Sequence, residues 1–326
     1  MKFKSESEFI SMVRKMAQRH AQGLVHGIGD DAAVIRAMPG KRWCITTDLL
    51  LEGIHFDLRY DSPFSVGHKS LAAGLSDLAS MGANPRFVLV SVAVPIRRAK
   101  EFLAPFLRGM LKMADRHGVT LIGGDTSRAQ QKIFIDVIVM GSVPAGREIL
   151  RHGARKGDFI YVTGTLGKAA LGLEVLKRRN VVMNRAEKRA VASHRTPIPR
   201  CSVGARLGKR LLATAMIDVS DGLSTDLFHL CEESRVGARI FEAQIPLPGV
   251  CDPCTELKWA LSWGEDYELL FTVSPSAAQS LKSSIEGVPI HRIGVIVPRK
   301  DGVKMVARNG KTQSLFATGW DHFRRV

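Results

Sequence analysis

The stretch Gly27 to Asp57, GIGDDAAVIRAMPGKRWCITTDLLLEGIHFD, sets five acidic residues, Asp30, Asp31, Asp48, Glu52 and Asp57, beside glycines and short apolar runs. Ala32 to Ile35 and Trp43 to Thr46 predict short strands, so Asp30, Asp31 and Asp48 fall at strand ends, where turns expose side chains. Carboxylates gathered there repel one another, and a local cation would offset that repulsion. With the hydroxyls of Thr46 and Thr47 the donors are all oxygen, which suits a hard ion such as magnesium. Any one Asp taken alone is an ordinary turn or cap residue. Recurrence of the pattern further along the chain favours the metal reading.

Ser5 to His20 predicts an amphipathic helix: Ser5 with Glu8 fits a capping box, and Phe9, Ile10, Val13, Met16 and Ala17 share one face. Pro63 to Gly82 predicts a helix of small residues that permits close backbone approach, with Asp77 in its middle. Asp is a poor helix former, so Asp77 is either a solvated residue or an inward-pointing ligand; the other acids favour the ligand. Arg86 to Val94 predicts a buried strand, and Ala99 to His117 a helix ending near Gly118. LIGGDTSR (Leu121 to Arg128) predicts a glycine turn with Asp125 at its exit, repeating the opening chemistry. Ile133 to Val143 completes a first α/β domain, residues 1–145. Pro144 to Lys156 is the expected linker to a second, residues 146–326.

The second half opens on DFIYVTGTLGKAALGLEVL, a strand, turn and helix. It is not a phosphate loop of the Walker type: Val162 stands where the first glycine belongs and Ala169 where Ser or Thr belongs. Its turn still offers amides at a helix N-terminus, a weak anion site. AMIDVSDGLSTD (Ala215 to Asp226) is a further acidic turn, with Asp218 and Asp221 flanking Ser220 and Asp226 on the following helix. SWGEDYELLFTV sets Glu265, Asp266 and Glu268 before a strand, and the tail carries Trp320.

Composition bounds the function. A chain of 326 residues with 45% hydrophobic content can bury the cores of two domains. Its first residues are too polar for a signal peptide and no apolar run is long enough to span a bilayer, so a cytoplasmic protein with no membrane partner is expected. Five cysteines without a secretion signal predict free thiols, and the lone pair Cys251 and Cys254, in a Pro-containing turn, lacks further zinc ligands. The 47 basic against 31 acidic residues are spread through helices and loops with few aromatics between them, so no nucleic-acid platform is predicted. Taken together, Asp30, Asp48, Asp77, Asp125, Asp218 and Asp221 suggest a multi-metal phosphate site between two domains.

The motifs GIGDDAAV, TTDLLLEGIHF, KSLAAGLSDLASMGANP, LIGGDTSR, GDFIYVTGTLG, IDVSDGLSTDL, GEDYELLFTV and GWDHF occur in order along nearly the whole chain. In them the sequence resembles the thiamine-monophosphate kinase family, of the superfamily that includes aminoimidazole ribonucleotide synthetase. The resemblance implies ATP-dependent phosphorylation of thiamine monophosphate to thiamine diphosphate. It also implies two α/β domains, with an N-terminal mixed sheet that pairs across a homodimer. Position by position it implies magnesium at Asp30, Thr46, Thr47, Asp48, Asp77, Asp125, Asp218 and Asp221. It places ATP at Gly124, Asp125, Arg151 and Ser220, with Arg151 as a charge stabiliser, and substrate at His55, Glu265 and Trp320.

Two relatives of the superfamily fit less well. Selenophosphate synthetases are expected to carry a reactive cysteine near the first glycine-rich segment, whereas the first cysteine here is Cys44, inside a predicted strand. The hydrogenase-maturation relatives are expected to end in cysteine, whereas this sequence ends in Val326.

Overall fold

The computed structural model describes residues 6–17, 21–28, 32–178 and 182–320. The chain divides into two units, Met1–Leu78 with Asn84–Ala145, and Ala79–Ala83 with Gly146–Val326.

The first unit runs α1 (Glu6–Ala17), β1 (Leu24–His26), β2 (Val34–Ile35), β3 (Lys41–Leu51), α2 (Pro63–Ser80), β4 (Asn84–Pro95), α3 (Ile96–His117), β5 (Thr120–Ala129) and β6 (Phe134–Pro144). β1 and β2 form a two-stranded ribbon, and the main sheet has the order β3-β6-β4-β5. β3 and β4 pair antiparallel with β6, while β4 and β5, joined through α3, are parallel. Alternation decides the two faces. Ile135, Val137 and Val139 of β6 are fully buried, whereas Asp136, Ile138 and Met140 between them are half-buried. On β3, Thr46, Asp48 and Leu50 point the same way as Val137 and Val139, and Ile45, Thr47 and Leu49 point the other way, exposed.

The small residues of α2 serve close packing, as the sequence predicts. A Cβ on Gly67 would lie 1.9 Å from the Phe106 carbonyl oxygen, and one on Gly109 of α3 would lie 1.9 Å from the Phe64 carbonyl oxygen. Each helix thus approaches the other's backbone through a glycine.

Three sequence expectations are corrected. The strand predicted at Trp43 to Thr46 extends over Lys41–Leu51 because all eleven residues pair with β6, so Asp48 sits within a strand and not at its end. The glycine turn at Leu121 to Arg128 is instead continuous strand: Gly123 and Gly124 follow a register shift against β4, and Gly124 takes φ +152° with its Cα against the Val90 carbonyl. Two of the opening acids are offset by arginine, a partner within the chain that the sequence reading did not name. Glu52 accepts from Arg98 at 2.6 and 2.7 Å, and Asp57 accepts from Arg59 Nε at 2.8 Å, which holds the Asp57 carboxyl below its usual range. Asp30, Asp31 and the capping residue Ser5 lie outside the described residues.

The second unit contains β7 (Phe159–Thr163), α4 (Lys168–Lys177), α5 (Arg185–Arg195), α6 (Cys201–Arg210), β8 (Ala215–Val219), α7 (Leu223–Ser234), β9 (Gly237–Phe241), α8 (Pro253–Ser262), β10 (Glu268–Val273), α9 (Pro275–Ala278), β11 (Ser284–Ile285), β12 (Val288–Val297), β13 (Val303–Val306) and β14 (Thr312–Ser314). Its sheet has the order β14-β13-β9-β12-β7-β10-β8, with β11 paired to β12. β8 and β10 are buried at every residue, and Ile217, Val219, Leu223, Leu227 and Leu270 join one core. The acidic turn that leaves β8 therefore stands on a rigid base.

Candidate active site

In the first unit, period-two alternation puts Thr46 and Asp48 on one face of β3, toward α2. The Thr46 hydroxyl donates to the Asp77 carboxylate. One turn earlier on α2, a Cβ on Gly74 would lie 2.5 Å from Val139 Cγ2 and 3.2 Å from Asp48 Oδ2, so the glycine lets the helix sit close against this face of the sheet, beside that carboxylate. Thr46, Asp48 and Asp77 are brought together. The Thr47 hydroxyl is not: it lies on the opposite face and donates to Asp136 at 2.6 Å. Asp125 is also distant within one copy. The pairs Asp48–Val137, Val137–Val90 and Val90–Gly124 form one row across the sheet, so Asp48 and the neighbourhood of Asp125 are three strand spacings, about 14 Å, apart. Among the described residues no group of three His, Cys, Asp or Glu side chains is close enough to hold a metal ion.

His55 sits in the turn after β3. The Ile54 and His55 amides donate to the Leu51 carbonyl, and the imidazole Nδ1 accepts the Leu51 amide at 3.0 Å. Lys69 of α2, 3% exposed, donates from Nζ to the His55 carbonyl at 3.1 Å.

In the second unit the acidic turn Ser220–Gly222 gathers residues distant in sequence. The Glu265 amide donates to the Ser220 carbonyl at 2.8 Å, the Tyr267 amide to the Val219 carbonyl at 3.0 Å, and the Trp320 amide to the Asp221 carbonyl at 3.0 Å. Glycines permit two of these approaches. A Cβ on Gly264 would lie 1.9 Å from the Ser220 carbonyl oxygen, and one on Gly319 would lie 2.1 Å from that of Asp221. Glu265 and Tyr267 hold φ of 73° and 50°, left-handed values that cost roughly 1–2 kcal/mol each and persist where surrounding bonds impose them. Ser220, Asp221, Glu265 and Trp320 are thus adjacent, and Trp320 is 46% exposed. Arg151 is exposed; its carbonyl accepts from Ser234 at 2.9 Å and its neighbour Leu150 from the Met216 amide of β8, the strand that carries Asp218.

Three supporting residues have no place in the sequence-derived site. Asp226, 1% exposed, accepts the Asp221 and Gly222 amides at 3.2 Å each; burial, and then the charges of Asp218 and Asp221, push its carboxyl well above the usual range. His194 Nδ1 lies 3.6 Å from Glu265 Oε2. Asp266 corrects the reading of the turn before α4. Its two oxygens accept the Gly167 and Ala169 amides at 2.5 and 3.0 Å, so the chain's own carboxylate takes the place expected for an anion.

Two family models match the chain: AIR synthase related protein, N-terminal domain, over residues 29–143, and its C-terminal domain over residues 155–306. The thiamine-monophosphate kinase of Buchnera aphidicola subsp. Acyrthosiphon pisum is 38% identical over 326 residues, spanning 98% of this chain and 99% of that protein. The crystal structure of thiamine-monophosphate kinase from Stenotrophomonas maltophilia superposes with a TM-score of 0.83 at 32% identity, over 95% of this chain and 98% of that one. The structure of AaThiL complexed with AMPPCP and TMP superposes with a TM-score of 0.77 at 29% identity, over 99% of both chains. With both of its halves matched and full-length relatives above 30% identity, the chain belongs to the thiamine-monophosphate kinase family.

Proposed function

We propose that the protein transfers the terminal phosphoryl group of ATP to thiamine monophosphate, giving thiamine diphosphate and ADP. The observation that carries this reading is the convergence of Ser220, Asp221, Glu265 and Trp320 on one buried-strand turn, in a chain of the same family as AaThiL, whose complex holds AMPPCP and TMP.

Each group has a physical task. The acceptor is a phosphate monoester with a second pKa near 6, so its attacking oxygen is already ionised at neutral pH and no general base is needed. The barrier is repulsion between two phosphates. Arg151 supplies positive charge for it, and the Ser220 turn contacts the nucleotide. Glu265 and the exposed Trp320 face the cationic thiazolium, by charge attraction and by a cation–π contact worth roughly 0.5–2 kcal/mol. Thr46, Asp48 and Asp77 in the first unit, and Asp218 and Asp221 in the second, form all-oxygen donor sets that suit magnesium. Asp30 belongs to the same proposal; the Thr47 hydroxyl, engaged by Asp136 on the opposite face, does not. Magnesium supplies neutralisation of the phosphate charge when bound.

The protein acts as a homodimer in this reading. The outer face of the first sheet carries Ile45 and Leu49, 63% and 57% exposed, beside half-buried Leu89, Ile138 and Met140, and β3 and β5 are its terminal strands among the described residues. Pairing β3 of one copy with β5 of another would carry Gly124 and Asp125 to the edge where Asp48 lies. That arrangement gives Asp125 the metal role that the about 14 Å separation within one copy denies it.

Incubation with ATP, magnesium and thiamine monophosphate, followed by chromatography, tests the function. Thiamine diphosphate is expected from thiamine monophosphate and not from thiamine; ATP consumption without that product would refute the proposal.

A further inference from the structure

We propose that Lys69 is a positioning residue for His55: its buried ammonium holds the turn that fixes the imidazole tautomer presented to the substrate's phosphate. The proposal rests on the reading of His55 as a substrate-binding residue.

Three observations lead to it. First, the Leu51 backbone N–H can only donate, so His55 Nδ1, 3.0 Å away, must accept, and the neutral ring carries its proton on Nε2. A ring so held is a hydrogen-bond donor at Nε2, the polarity that an anionic phosphate oxygen requires. Second, this geometry depends on a tight turn. The His55 amide also bonds back to Leu51, and the Gly53 amide donates to the Phe56 carbonyl at 2.7 Å, so a small rotation of the His55 peptide would swing the ring away from the Leu51 amide. Lys69 Nζ, 3.1 Å from the His55 carbonyl oxygen, restrains that peptide.

Third, Lys69 is 3% exposed. Burying an ammonium costs several kcal/mol unless its donors are engaged, so a lysine at this place needs a reason beyond packing that a Met or Leu would meet as well. Its location supplies one. Lys69 stands two turns before Asp77 on α2, about 12 Å along the axis. One rigid helix therefore fixes both the carboxylate bonded to Thr46 and the turn that carries His55. Lys69 does not touch substrate in this account; it acts through the imidazole.

The test is a double-mutant cycle with Lys69→Met and His55→Ala, with KM for thiamine monophosphate, KM for ATP and kcat read separately. His55→Ala alone should raise KM for thiamine monophosphate about tenfold; no change there refutes the underlying reading of His55, whatever Lys69 does. Given that rise, Lys69→Met should raise the same KM five- to tenfold, leave KM for ATP within twofold, and have no further effect in the His55→Ala background. Lys69→Arg should restore most of the loss, since it returns a cationic donor. Equal shifts in both KM values, or an undiminished Lys69→Met effect without the imidazole, would overturn the positioning role and leave Lys69 a structural residue. If Lys69→Met gives no cooperative melt, Lys69→Gln, which keeps an amide donor without the charge, enters the same cycle with intermediate shifts expected.

Discussion

Glu265 donates its backbone amide to the carbonyl of Ser220, 45 positions earlier in the chain, at 2.8 Å and with a left-handed φ of 73°. The bond fixes where the Glu265 carboxylate stands relative to the acidic turn, and it uses only the main chain. Backbone and side chain can therefore be separated by substitution. Glu265→Gln keeps length and backbone and removes charge, so KM for thiamine monophosphate should rise about tenfold, equivalent to about 1.4 kcal/mol, with kcat and the melting temperature almost unchanged. Steady-state kinetics checks this; an unchanged KM would remove Glu265 from the substrate site.

The reciprocal glycines of α2 and α3 test the packing account. Gly109→Ala forces a Cβ to within 1.9 Å of the Phe64 carbonyl oxygen, which the helices can relieve only by moving apart. A loss of about 3 kcal/mol in urea denaturation is expected. A loss below about 0.5 kcal/mol would mean that the helices are not so closely joined.

The outer sheet face gives an assembly prediction. Leu49 is 57% exposed in a single copy, so Leu49→Arg has little to disturb within the fold. In a dimer paired through this sheet it buries a charge. Sedimentation should show the mass fall from two chains to one, with activity lost alongside. An intact dimer with full activity would place the interface elsewhere.

Much of this architecture is legible in sequence because alternation and glycine spacing are local. The β3 alternation assigns Thr46 and Asp48 to one side without any knowledge of α2, and the run from Ala215 to Asp226 announces strand, acidic turn and helix. Strand length is not local. Asp48 falls at a strand end when only Trp43 to Thr46 is read, and within the strand once β6 supplies eleven partners. The same holds for Gly123 and Gly124, which resemble a turn in sequence and form an irregular strand because β4 lies alongside. Asp125 is one of a set of similar acidic motifs by sequence, yet sheet order separates it from Asp48. His194 lies in no motif, and Lys69, although it opens the motif KSLAAGLSDLASMGANP, has no task that the motif announces. Each is an ordinary residue in a helical pattern, and its significance comes from the carboxylate or carbonyl it meets.

Asp266 gives a pH prediction. Burial raises its carboxyl from 3.8 to about 7, against the opposing pull of the Ala169 and Gly167 amides. Between those values the folded protein keeps a proton that the unfolded chain has released, so this group makes stability fall as pH rises through that window. Asp266→Asn cannot ionise. Relative to the unsubstituted protein, its stability should improve between pH 4 and pH 7.5 by on the order of 2–4 kcal/mol, measured by urea midpoints. A relative loss over the same range would mean that the helix amides outweigh burial and the carboxylate is the favoured form.

Direct transfer between two phosphates is open to a single-turnover experiment with γ-labelled ATP. Enzyme in excess over labelled ATP, with magnesium and thiamine monophosphate, is quenched at intervals and the label is located. Label should pass from ATP to the distal phosphate of thiamine diphosphate at the rate of ATP loss, with none on the protein at any time. Stoichiometric protein-bound label that chases into product, or label released as inorganic phosphate without thiamine diphosphate, would contradict it.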